Sequence, residues 1–126
     1  MEKHIALTPE SEKRIIIAEE VARILRESEP KIKAIWLFGS TVDNTATVDS
    51  DIDICVTFEG LGDREILFVG GKLSNNLSEK GYQTGSHVPM GFDFTYTQEK
   101  YLHNPENLPD FIRLRFQEIT TTGKEI

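Results

Sequence analysis

Trp36-Leu37-Phe38-Gly39-Ser40, ten further residues, and then Asp51-Ile52-Asp53-Ile54 is the stretch on which the fold turns. Lys31 to Phe38 is a dense apolar run closed by Gly39, the pattern of a strand buried on both faces. A polar stretch runs from Gly39-Ser40 to Ser50, and a second strand follows from Asp51 to Phe58. Alternation puts Ile52, Ile54, Val56 and Phe58 on one face of it and Asp51, Asp53, Cys55 and Thr57 on the other. Aspartates two apart on a strand point the same way, with Cα atoms about 6.5–7 Å apart. Carboxylates held that close repel each other. A hard divalent cation removes the cost, and Mg²⁺ is usually held by one or two carboxylates plus substrate phosphates. Gly39 and Ser40 leave the preceding strand where backbone N–H groups and a hydroxyl can approach phosphate oxygens without a Cβ in the way.

Outward from this centre the chain alternates helix and strand. Thr8-Pro9-Glu10 reads as N-cap, first helical residue and first-turn acid. Ile15, Ala18, Ala22 and Leu25 then share a helical face, Arg14, Glu19, Glu20, Arg23 and Arg26 turn to water, and Pro30 ends the helix. Ile66, Val69, Leu73 and Leu77 predict a second helix over 63–80, with Gly70-Gly71 inside it at about 1 kcal/mol per glycine and Gly81 as its stop. A third strand over 92–96 sets Phe92, Phe94 and Tyr96 opposite Asp93 and Thr95. If that strand lies beside 51–58, Asp93 joins the two other acids. Three converging acids suit two metals about 3.5–4 Å apart, clamping the attacking and leaving oxygens of a phosphoryl-type transfer. Leu108, Ile112, Phe116 and Ile119 predict a closing helix started by Asn107 and Pro109, although Ile112, Leu114 and Phe116 also alternate as in a strand. The class is α/β (α+β), a small mixed sheet flanked by helices, and residues 1–126 read as a single domain.

Composition narrows the function. Fourteen Lys and Arg against 21 Asp and Glu leave a net charge of −7, with no basic stripe for long nucleic acid. No apolar run approaches a membrane span, and Met1-Glu2-Lys3-His4 leads into a charged helix rather than a signal core, so the expected location is cytoplasmic. A single cysteine, Cys55, excludes an internal disulfide and reads as a small filler of the sheet face. Asp49-Ser50-Asp51-Ile52-Asp53 fails as a calcium loop, since Ile54 and Gly60 stand where glycine and glutamate are needed. Gly71-Lys72-Leu73 fails as a phosphate loop, with Ile66 and Leu73 at its required glycine and Ser/Thr. His4, His87 and His103 have no ligand spacing, and Tyr82, Tyr96 and Tyr101 read as core or rim packing.

Phe38-Gly39-Ser40 with Asp51-Ile52-Asp53-Ile54 at this spacing resembles the minimal nucleotidyltransferases (MNT family) of the DNA polymerase beta-like superfamily. The order of the remaining elements, the Asp93 strand and the ending Phe116-Gln117-Glu118-Ile119 … Gly123-Lys124-Glu125-Ile126 are similar as well. The resemblance implies that Asp51, Asp53 and Asp93 bind Mg²⁺, that Asp93 assists deprotonation of an acceptor hydroxyl, and that Gly39, Ser40 and Ser50 hold the nucleotide, with the β and γ phosphates on the first two. It implies transfer of a nucleoside monophosphate, AMP from ATP, with release of pyrophosphate. It also implies a HEPN-type toxin as partner and acceptor, the chain being its antitoxin. Larger relatives carry a helical acceptor domain that 126 residues do not supply, so a partner or a second copy is expected to present the acceptor. This sequence has Thr41 and Asp43 where the family often has a basic residue, and Asn44 at a glycine position that asparagine can fill in the left-handed conformation. Two alternatives stand beside the antitoxin enzyme. One is a non-catalytic binding module with the same fold; the other is a homodimeric enzyme modifying an antibiotic or metabolite, whose acidic surface suits a cationic acceptor.

Overall fold

The computed structural model describes residues 6–126; the segment Met1–His4 and the readings made on it lie outside. Helix α1 (Pro9–Ser28) starts as its sequence predicts, with Thr8 accepting the Ser11 N–H at 3.2 Å and Pro9 in the first turn. Strands β1 (Ile32–Phe38) and β2 (Ile52–Phe58) pair antiparallel, helix α2 (Asp63–Glu79) follows, and β3 (Phe92–Gln98) returns parallel to β2. A parallel neighbour needs such a crossover, so the run β2–α2–β3 forces this topology. Helices α3 (Glu99–His103) and α4 (Asp110–Thr122) and the two-residue strand β4 (Lys124–Glu125) complete a mixed sheet in the order β3-β2-β1-β4. No helix among the described residues is long and apolar enough to cross a membrane.

The sheet is covered on both faces. Ile35, Leu37, Ile52, Ile54, Val56 and Phe58 pack beneath α1 and α2 on Val21, Leu25, Ile66 and Leu77. On the opposite face Phe38 and Cys55 meet Leu102, Phe116 and Ile119 from α3 and α4. The apolar stripe of the closing segment settles it as a helix, because only a helix brings Ile112, Phe116 and Ile119 onto one cluster. Its start differs from expectation: Asn107 ends a separate 3₁₀ turn, and Pro109 occupies the cap without a side-chain bond. Strand β3 continues to Gln98 and runs directly into α3, an element without enough periodic residues to show in the sequence.

One sequence expectation is overturned. Arg14 does not face water; it is fully buried. Its guanidinium donates to the Ser50 carbonyl (3.0 and 3.2 Å), the Glu10 carbonyl (2.9 Å) and the Glu10 carboxylate (2.8 Å). A buried charge is tolerated when its donors are satisfied in this way. The bonds tie α1 to the residue immediately before Asp51. Asn44 makes a second tie in the left-handed conformation (φ 60°), accepting the Thr8 N–H at 2.8 Å.

The two glycines inside α2 have different reasons. A Cβ on Gly70 meets the Tyr96 ring at 2.6 Å, so this glycine lets α2 lie close on β3, whereas Gly71 faces open space. Gly81 (φ 95°) then closes α2, with the Tyr82 N–H on the Leu77 carbonyl and the Gly81 N–H on the Ser78 carbonyl. In thermal melts Gly71→Ala is expected to stabilise by about 0.5–1 kcal/mol and Gly70→Ala to destabilise by about 1–3 kcal/mol. Equal stability of the two variants contradicts the packing.

Candidate active site

The parallel register of β2 and β3 sets Asp53 beside Asp93, and two residues of pleat bring Asp51 to the same face. One carboxylate oxygen from each of the three lies within 4.8 Å of the other two, and all three side chains are half-buried. The three expected acids, Asp51 immediately before β2, Asp53 on β2 and Asp93 on β3, therefore converge.

The opposite wall is the end of β1. Phe38 pairs with Asp53 in the antiparallel ladder, so the chain leaves β1 at the acid cluster. Gly39 adopts φ 77° there, and a Cβ on it collides with the Asp53 carboxylate. Glycine is required twice at this position, by the dihedral and by the carboxylate. Ser40 and Thr41 complete a short 3₁₀ turn, in which the Thr41 hydroxyl is buried without a partner among the described residues. Ser50 is built into the approach to β2: its hydroxyl accepts the Thr47 N–H at 2.9 Å, and its carbonyl takes Arg14 and the Met90 N–H.

The segment 83–91 closes the third side. It pairs back through the Gly85 N–H on Phe92 and the Phe92 N–H on Gln83. The His87 N–H, its residue in the left-handed region (φ 61°), donates to an Asp51 oxygen at 2.9 Å. The histidine thus meets the site through its backbone, a contact its side-chain type does not foretell. His103 is exposed and pairs with Glu99 at 2.6 Å, away from the acids.

Electrostatics follow from this crowding. Burial first, and then the charges of Asp51 and Asp93, push the Asp53 carboxyl up to about 7, against a smaller pull downward from Arg115. Cys55, on the same face one pleat further in, is pushed up to about 12, mainly by burial, and is an inert filler of that face. Three converging carboxylates, of which Asp53 is hindered from ionising by burial and then by its two neighbours, are what a hard divalent cation relieves, so these residues fit Mg²⁺.

Beyond Asp93 a groove of about 730 Å³ runs along β3 between α2 and α4. Its lining includes Leu67, Thr95, Tyr101, Phe111 and Arg115. Arg115 donates to the Thr95 hydroxyl at 3.3 Å and lies 5.9 Å from the centroid of the Phe38 ring. Arg14 and Arg115 are the site's neighbours that the sequence does not disclose. Each contact spans 20 or more residues, and no local spacing encodes it.

The Asp53 carboxyl has a stability consequence. Its proton is held more tightly in the folded chain (about 7) than at the ordinary value of 3.8, so the unfolded chain loses that proton first. Stability therefore falls as pH rises from about 4 to about 7 and stays lowered above that. With divalent cations chelated, Asp53→Asn is expected to raise the melting temperature at pH 8 by the equivalent of about 1–2 kcal/mol, discounted for partial exposure, and to change little at pH 4. Melts at the two pH values check this, and an equal shift at both contradicts it.

A family model described as a nucleotidyltransferase domain matches residues 18–115. No curated protein matches the chain significantly. Among solved structures, a Sulfolobus solfataricus protein described as a nucleotidyltransferase is similar at 15% identity, covering 78% of this chain and 82% of its own, with a TM-score of 0.51. A toxin–antitoxin structure with AMP-PNP is 25% identical over 86% of this chain and 70% of that one, TM-score 0.48. The complex of a tri-AMPylated Shewanella oneidensis HEPN toxin with its MNT antitoxin is 21% identical over 89% and 70%, TM-score 0.44. The matched span runs from α1 into α4 and contains Gly39, Ser40, Asp51, Asp53 and Asp93, and on it the chain belongs to the nucleotidyltransferase domain family.

Proposed function

We propose that this nucleotidyltransferase moves AMP from ATP to a hydroxyl of a protein partner, and that the partner is a HEPN-type toxin which the chain restrains as its antitoxin. The observation that carries the transfer reading is the acid triad packed against Gly39. The partner and the choice of ATP rest on the resemblance of Phe38-Gly39-Ser40 and Asp51-Ile52-Asp53 to the minimal nucleotidyltransferases.

Asp51, Asp53 and Asp93 hold Mg²⁺ in this reading; when bound, the ion supplies positive charge at the α-phosphate and at the acceptor oxygen. Gly39 and Ser40 hold the β and γ phosphates at the turn after β1, where the missing Cβ permits close approach. Asp93, two residues before the groove residue Thr95 on β3, takes the proton of the incoming hydroxyl. The acceptor oxygen forms a bond to the α-phosphorus, the bond from that phosphorus to the bridging oxygen breaks, and pyrophosphate leaves with the electron pair.

One feature favours the rival, a contact-only binding module: Ser40, Thr41, Val42 and Asp43 bring no cation to the phosphate side. Calorimetry with ATP, CTP, GTP and UTP, with and without Mg²⁺, separates the two readings. The enzyme reading expects Mg²⁺-dependent binding of ATP, lost by at least tenfold in the Asp51→Asn/Asp53→Asn double variant, and transfer of α-phosphate label to a co-purifying helical protein. A stable complex with that protein, with neither nucleotide binding nor label transfer, establishes the binding module instead.

A further inference from the structure

The turn after β1 carries no cation of its own, and α4 places one near it. Ser40 to Asp43 contains no Lys or Arg, and Arg14, the cation nearest the start of β2, is spent on Ser50 and Glu10. Arg115 on α4 reaches the same sheet face as the acids. Thr95, which receives its hydrogen bond at 3.3 Å, lies two residues beyond Asp93 on the same side of β3. Phe38, whose ring lies 5.9 Å from the guanidinium carbon, directly precedes Gly39 and pairs with Asp53. The guanidinium therefore spans from the β1 exit to the Asp93 strand, along the border between the acid cluster and the groove. It takes part in no ion pair within 4.0 Å among the described residues. Asp53 nonetheless feels its charge.

A cation placed this way has free donors. A guanidinium carries five N–H donors in a planar fork suited to phosphate oxygens, and one of its nitrogens is occupied by Thr95. The cation–π contact with Phe38 and the bond to Thr95 restrict the head, so less freedom is lost when an anion binds. Three carboxylates and a triphosphate keep a negative balance even with divalent cations between them, so one further positive charge at this border stabilises the bound nucleotide. We propose that Arg115, held by Thr95 and the Phe38 ring, is a phosphate-binding residue of the transfer site, engaging the phosphoryl group that is transferred. This rests on the transfer reading above.

The test compares wild type with Arg115→Ala, Arg115→Lys and Thr95→Val in two titrations, Mg²⁺ alone and then ATP at saturating Mg²⁺. A phosphate-binding role separates the two titrations. Arg115→Ala weakens ATP binding by roughly 10- to 100-fold, while Mg²⁺ alone binds equally well or more tightly, because a neighbouring positive charge has gone. Arg115→Lys recovers part of the loss, since lysine keeps the charge without the fork, and Thr95→Val produces a smaller loss in the same direction. ATP binding within twofold of wild type in Arg115→Ala overturns the assignment, and so does parallel weakening of Mg²⁺ and ATP, the mark of a merely structural role. If wild type itself shows no Mg²⁺-dependent ATP binding, the transfer reading falls and this assignment with it. Binding by wild type with an indifferent Arg115→Ala removes the assignment alone.

Discussion

Like charge confined by backbone register is the constraint on which this molecule's organisation depends. Asp53 and Asp93 are neighbours because β2 and β3 pair in parallel, and Asp51 joins them because the pleat repeats every two residues. The three carboxylates are half-buried and repel one another, which holds the middle one largely protonated to near neutral pH. The surrounding structure keeps them there: Arg14 fixes the approach to β2, Gly39 makes room for the Asp53 side chain, and the 83–91 segment hands a backbone N–H to Asp51. Stability given up at such a place is characteristic of a site shaped for a cation and its anionic partner.

Much of this was legible in the sequence, for physical reasons that differ by element. The buried strand before Gly39, the alternation of Ile52 to Phe58 and the cap at Thr8 are local patterns, and each forms where expected. The convergence of Asp93 required only that its strand lie next to β2, which the intervening helix α2 enforces. Gly70-Gly71 looked like a weakness in a helix; close packing on Tyr96 explains the first glycine, and nothing in the structure explains the second. What could not be read was long-range and side-chain specific. Arg14 has the spacing of a solvent-facing residue yet is the most thoroughly bonded cation of the site's surroundings. Arg115 is one of two arginines on an amphipathic helix, and only the packing of α4 against Phe38 and Cys55, within reach of Thr95 on β3, distinguishes it from Arg113, which pairs with Asp110 instead.

The distribution of positive charge links fold to function. A net charge of −7 offers nothing general to a polyanion, so nucleotide recognition must be local. Beside the acids that sheet face is packed by Phe38, Cys55, Phe116 and Ile119, which lowers the local dielectric and strengthens the charges next to them. In the proposed reading, metal ions, the turn at Gly39-Ser40 and a guanidinium from α4 would form a small cationic frame, with the groove beside it for the group that receives the nucleotide. In such an arrangement chemistry depends on positioning and electrostatics more than on any reactive side chain. The inert Cys55 and the outlying His103 are consistent with that.

The central claim is that Asp51, Asp53 and Asp93 are one metal and nucleotide site. Its most direct test is a crystal grown with Mn²⁺ and a non-hydrolysable ATP analogue, with data collected at a wavelength where manganese scatters anomalously. The account predicts an anomalous peak coordinated by Asp51 and Asp53, with the α-phosphate of the analogue at the same ion and Asp93 facing it. An analogue bound elsewhere, or manganese absent from between these three carboxylates, contradicts it.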